Sequence, residues 1–183
     1  MFQLNKDYNL RGYSFEYIIR ILLRRQKKNN FIFQIKRFTN IEELEDKYRI
    51  IFSTKDKILK EVLRKNWGRF DLIEFKLNNK IERLVEEIKV YDIKTKNYLS
   101  KRNYIDICET SYNFFNELKT KFNIICKIVQ VNIFENWKFD YLIKDYNKFK
   151  MRIYPKLKSG SIKNNMILLP GGIITINRPV VKI

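Results

Sequence analysis

The chain contains no histidine. That absence removes Ser-His and Cys-His nucleophile pairs, histidine-ligated zinc and nucleases with a histidine general base. Cysteine is nearly as scarce. Cys108 and Cys126 are the only two, far apart and without CxxC spacing. This argues against structural zinc, and for a reducing compartment over a disulfide scaffold. Neither a signal peptide nor an apolar run of bilayer-spanning length is present, so the expectation is a soluble, cytoplasmic protein with no membrane partner. Alanine is missing altogether, and acid is short: Asp+Glu total 20 against 38 Lys+Arg, a formal charge of +18. An imbalance of that size fits a polyanionic partner, most simply nucleic acid. Its rival is a lysine-rich surface produced by compositional drift.

What is present fits one globular domain over residues 1–183. Hydrophobic residues make up 45% of the chain, enough for a sizeable core and too many for disorder. Positive charge is unevenly spread. Residues 17–41 hold no acid but carry Arg20, Arg24, Arg25, Lys27, Lys28, Lys36 and Arg37. Residues 146–183 are also acid-free. Both stretches are candidate phosphate-contacting surfaces.

Phe15, Ile18, Ile19, Leu22 and Leu23 recur at helical spacing, which predicts a helix over 14–28 with Ser14 as N-cap and Glu16 in its first turn. Period-two alternation predicts a strand at 31–37. Residues 40–66 read as helical, opening on the capping pair Asn40 and Glu43 and ending before Gly68. Residues 69–77 and 81–91 form a hairpin signal around Asn78-Asn79. A helix over about 103–121, a buried strand from Ile124 to Phe134, a helix near 139–150 and a small terminal hairpin at 166–176 follow. The sum is an α/β domain with a mixed sheet.

Acid-x-Lys occurs five times, at Glu45, Glu74, Glu87, Asp92 and Glu117, so the tripeptide alone carries little information. Context selects Glu87-Ile88-Lys89. Glu45 and Glu117 fall on predicted helices, and Asp92 falls at the frayed end of its predicted strand. Glu74 lies on the opposite face of its strand from Asp71. Asp71 and Glu87 on neighbouring strands could hold Mg²⁺, which takes oxygen ligands and few protein carboxylates. Bound metal lowers the pKa of its water and polarises a phosphoryl group. Lys89 would orient the water or neutralise charge developing on phosphate. Glu16 would bind metal through water or set the geometry of a second ion. The competing assignment is structural: Glu87 and Lys89 on an exposed strand face with Lys89 paired to Asp71, and Glu16 paired to Arg20.

The order of a helical acid, a strand-head Asp, Glu-x-Lys on the next strand, then helix and strand resembles the PD-(D/E)xK nuclease superfamily. The opening Arg11-Gly12-Tyr13-Ser14-Phe15-Glu16, with its apolar helix and following strand, is most similar to the archaeal Holliday-junction resolvase branch. The resemblance spans about residues 11–134. It implies a restriction-endonuclease-like core (α-β-β-β-α-β), with a helical insert at about 39–67 and a basic C-terminal extension at about 135–183. It also implies a magnesium-dependent DNA endonuclease (Mn²⁺ as substitute), with branched or structured DNA as the expected substrate, working as a homodimer. Glu16, Asp71, Glu87 and Lys89 take the family's positions; Phe70 stands where proline often precedes the strand Asp. The alternatives are a non-catalytic nucleic-acid-binding or assembly protein on a nuclease-like fold, and an RNA-directed or host-defence enzyme. Phosphate contacts cannot separate DNA from RNA.

Overall fold

Phe15, Ile19 and Leu23, four residues apart, form one buried stripe on the opening helix. That stripe packs on one face of the central sheet in the computed structural model, which describes residues 8–27, 29–78, 83–97, 105–134, 138–149, 151–154 and 167–169. The elements in chain order are α1 (Tyr8–Gln26), β1 (Asn30–Gln34), α2 (Ile41–Tyr48), α3 (Lys57–Lys65), β2 (Leu72–Leu77), β3 (Val85–Asn97), β4 (Ile105–Cys108), α4 (Glu109–Phe122), β5 (Ile125–Ile133), β6 (Phe139–Asp145), β7 (Met151–Tyr154) and β8 (Ile167–Leu169). Short 3-10 turns follow β1, precede α3 and follow β6. The chain is therefore mixed α/β.

Five strands form the main sheet in the order β1-β2-β3-β5-β6. β1, β2 and β3 are antiparallel neighbours, β5 lies parallel to β3, and β6 returns antiparallel along β5. A second sheet, β4-β7-β8, pairs β4 parallel to β7 and β7 antiparallel to β8. The stripe on α1 packs on Ile32, Leu72, Tyr91, Ile93, Val129 and Val131. The opposite face carries the larger core. There Ile73, Phe75, Val90 and Ile128 meet Ile41 and Leu44 of α2, Leu59 and Leu63 of α3, and Phe115 and Leu118 of α4. The helical segment at 39–67 is thus built into the main core. Asn40 caps α2 by accepting the Glu43 amide at 2.9 Å. Among the described residues no helix is long and apolar enough to cross a membrane.

Four expectations need correction. α1 begins at Tyr8, so Ser14 and Glu16 lie within the helix, away from its first turn. β1 ends at Gln34, and Ile35–Arg37 curl into a 3-10 turn. The segment expected to start a helix at 103 begins as β4, with Ile105 and Ile107 alternately buried. The helix expected at 139–150 is β6 and a 3-10 turn, because Phe139, Tyr141 and Ile143 alternate onto the α1 side of the sheet. Of the expected terminal hairpin, Ile167–Leu169 is β8; residues 173–176 lie outside the described residues.

Candidate functional site

Asp71 occupies the bend that leads into β2. Its amide donates to the Tyr91 carbonyl at 2.8 Å, and its carbonyl accepts the Ile35 amide at 3.1 Å. The side chain reaches β3, where Oδ2 accepts the Ile93 amide at 2.7 Å. Leu72 is registered against Tyr91 and Ile73 against Val90, so the same antiparallel register sets Asp71 beside Asp92. Asp92 is buried, and its Oδ2 lies 2.8 Å from Lys94 Nζ. Lys94 is two residues further along the same strand face. The approach is an ion pair without hydrogen-bond geometry, so this buried Oδ2 accepts no hydrogen bond.

Glu16 joins from α1. Its Oε2 accepts from Gln34 Nε2 at 2.9 Å and its Oε1 from Lys36 Nζ at 2.5 Å. Lys36 Nζ is also 3.8 Å from Asp71 Oδ1. Three carboxylates and two lysines therefore gather where β2 begins, against the middle of β3. Beyond Asp92 this face of the sheet turns polar. Lys94 is registered with Gln130 and Lys96 with Asn132, and Gln130 Nε2 donates to Asn132 Oδ1 at 2.7 Å. Burial, then the charges of Asp92 and Glu16, hold the Asp71 carboxyl well above the usual carboxylate range; the Ile93 amide and Lys94 pull the other way. A carboxylate that resists ionisation because it is buried and has two other acids beside it marks a site with demand for positive charge. Among the described residues no three acidic or cysteine side chains converge into a ready-made metal cage.

The pair expected opposite Asp71 lies elsewhere. Glu87 is registered with Lys76 and Lys89 with Glu74, about 16 Å down the strand from Asp92 for Glu87 at roughly 3.3 Å per residue. The cause is register. The connection runs past the expected Asn78-Asn79 turn, with the Asn78 amide donating to the Leu84 carbonyl, and that shift carries Glu87 away and brings Asp92 in. Glu87 lines a surface depression of about 540 Å³ with Asp56, Glu86, Lys119 and Asn123. Lys89 lies 2.8 Å from Glu87 and 3.7 Å from Glu74.

Glu74 is 1% exposed and sits in a separate polar plug under the end of α1. It accepts from Lys27 Nζ at 2.6 Å, from Asn30 Nδ2 at 2.5 Å and from the Tyr91 hydroxyl. Burial pushes this carboxyl up, but the hydrogen bonds from Lys27, Tyr91 and Asn30 outweigh it and leave the carboxyl below its ordinary range. The stability it contributes is therefore present above the unfolded value of about 4.3 and is lost as pH falls through the lower folded value. Glu74→Ala strands the half-buried Lys27 and the buried Tyr91 hydroxyl and should cost about 3 kcal/mol in a urea melt at pH 7; a loss under about 1 kcal/mol would show that the plug is not a structural anchor.

Of the expected phosphate contacts, Lys27 is turned into that plug and Lys36 holds Glu16. Arg24 and Arg25 are exposed on the last turns of α1. Lys28 lies outside the described residues. Arg20 and Arg37 flank Tyr17, with guanidinium carbons 5.3 and 5.5 Å from its ring centre. Sequence reasoning set aside Asp92 and Lys94 and passed over Gln34. The usable signal was strand length: Tyr91 through Asn97 still alternates, with Ile93 apolar and Asp92 and Lys94 on the other face. Neither the known protein families nor the curated proteins include a match to this chain.

Proposed function

We propose that this chain is a metal-dependent nuclease that hydrolyses phosphodiester bonds in nucleic acid, with Asp71, Asp92, Lys94 and Glu16 as its site. The observation that carries the reading is the pairing of Asp71 with Asp92-Ile93-Lys94 across two neighbouring strands, with a helical glutamate beside them. In the terms of the PD-(D/E)xK resemblance, Asp92-Ile93-Lys94 takes the place first assigned to Glu87-Ile88-Lys89. The antiparallel β1-β2-β3 unit, the crossover helix α4 and the parallel strand β5 support a restriction-endonuclease-like core.

The donor set fits a hard divalent cation such as Mg²⁺, with Mn²⁺ as substitute. All donors are oxygens, Asp92 Oδ2 is buried without a hydrogen bond, and Mg²⁺ usually takes only one or two carboxylates. Asp71 and Asp92 would hold it, with Glu16 contributing through water. Such an ion, when bound, lowers the pKa of its water and polarises the phosphoryl group. The residues supply the rest. The Ile93 amide fixes one Asp71 oxygen and so sets the direction of the other. Lys94 keeps a positive charge beside Asp92, where negative charge would grow on a bound phosphate. Lys36 and Gln34 hold Glu16 in a single orientation.

A second reading, a non-catalytic nucleic-acid-binding protein, is favoured by one observation: Lys94 and Lys36 already neutralise Asp92 and Glu16 internally. One assay separates the two. Pure protein is incubated with four-way junction, duplex, single-stranded DNA and RNA, in magnesium and in chelator. The nuclease reading expects cutting of at least one substrate that stops in chelator and resumes with Mn²⁺. Salt-sensitive binding without cutting of any substrate would establish the second reading. The same panel decides between DNA, which the resemblance implies, and RNA, and sedimentation with a bound junction would test the implied dimer.

A further inference from the structure

We propose that Arg20 and Arg37, positioned by Tyr17, form a phosphate subsite that takes a backbone phosphate next to the one cleaved, an inference that rests on the nucleic-acid reading above. Tyr17 is 43% exposed on α1, and both guanidinium groups lie over its ring at cation–π distance. The two cations come from different elements, Arg20 from α1 and Arg37 from the 3-10 turn after β1. Among the described residues neither is ion-paired with a carboxylate. Arg37 Nε donates to Gln34 Oε1 at 3.2 Å, which leaves its terminal nitrogens for a ligand. Arg20 Nε is buried and without an acceptor.

Holding two guanidinium groups together with no anion between them is unfavourable. Burial, then repulsion from Arg37 and Arg24, lowers the Arg20 pKa. A structural arginine in this position would normally be matched by a carboxylate, and the nearby one, Glu16, is occupied by Gln34 and Lys36. What fits is an external anion with planar, two-oxygen faces, and guanidinium forks match phosphate in that way. Placement ties the subsite to the chemistry. Arg37 contacts Gln34, Gln34 contacts Glu16, and Lys36 spans Glu16 and Asp71. A strand whose scissile phosphate lies at Asp71 and Asp92 would therefore bring a neighbouring phosphate to this pair. Tyr17 is the positioning residue, and its ring keeps both forks in place.

The test uses the full chain and a labelled oligonucleotide in chelator, with affinity measured against salt concentration. R20Q/R37Q is compared with wild type and with K55Q/K57Q, which removes two exposed charges far along the chain. R20Q/R37Q should lose about tenfold more affinity than the control. Its log–log salt slope should become shallower by about one, the share of one lost phosphate contact. R20K/R37K should keep the slope and lose affinity, because charge remains and the fork does not. Equal losses in R20Q/R37Q and K55Q/K57Q would overturn the subsite while leaving the nucleic-acid reading intact. Wild-type protein that binds no oligonucleotide would overturn both. If R20Q/R37Q does not fold, R37Q alone is decisive by the same comparison, since Arg37 is exposed.

Discussion

Asp92→Asn and Lys94→Ala should each slow nucleic-acid cleavage in magnesium by roughly 100-fold or more, the scale on which removal of one preorganised electrostatic group acts. Glu87→Ala and Lys89→Ala should stay within about threefold of wild type per folded molecule, because residues outside the site rarely change the barrier by much more than a few tenths of a kcal/mol. The contrast follows from register. Asp92 is the acid set beside Asp71, whereas Glu87 faces Lys76. Lys94 holds the Asp92 carboxylate at 2.8 Å, while Lys89 is engaged with Glu87 and Glu74. Single-turnover rates with saturating protein separate loss of chemistry from loss of binding. Cleavage abolished by Glu87→Ala but untouched by Asp92→Asn would return the site to the first assignment and would mean that the strand register described above does not govern function.

Asp71→Asn should be inactive and yet more stable than wild type at pH 7, by about 1–2 kcal/mol. The Asp71 carboxyl is crowded by Asp92 and Glu16, which hold its pKa well above the ordinary range after burial has already raised it. The folded protein therefore binds this proton more tightly than the unfolded chain does. Its contribution to stability is full below the unfolded value of about 3.9 and is lost as pH rises through the raised folded value. An amide at this position can still accept the Ile93 amide but carries no charge. Urea melts from pH 4 to pH 8 should show wild-type stability sagging with rising pH relative to the variant. Magnesium should restore wild type and leave the variant unmoved, since a ligand that binds only the native site stabilises by mass action. Matching pH profiles for the two proteins would remove the electrostatic argument for the site.

Much of this was readable from residue order, and the errors at the site share a cause. The α1 stripe of Phe15, Ile19 and Leu23, the Asn40 cap and the apolar β5 run are local patterns, and each is found where periodicity set it. Asp71 and Glu16 were also legible, as an acid at a strand head and an acid on the first helix. The partner strand was legible too, but not its offset. Offset depends on how many residues the connection after Asn78 consumes, and asparagines alone did not fix that number. Asp92 was discounted because a charged residue among apolar ones reads as a strand end. In the fold it is buried mid-strand, beside another acid, which no local propensity encodes. β6 was read as a helix although Phe139, Tyr141 and Ile143 alternate at the period of a strand.

β4 lies inside the crossover between β3 and α4 but pairs with β7, Ile105 against Met151, and β7 in turn pairs with β8. During synthesis the five-stranded sheet has all its strands once Asp145 has emerged, whereas β4 has no hydrogen-bonded neighbour until Met151–Tyr154 follows. The Arg152 guanidinium, buried against Asp106 at 2.5 Å, arrives with that same segment. A nascent chain stopped after β6 would thus carry an unpaired strand edge in its middle, the kind of exposed template that chaperones and neighbouring chains engage. The second sheet thus depends on a segment that follows the last strand of the first, and its β4 strand must wait for Met151–Tyr154 to find a partner.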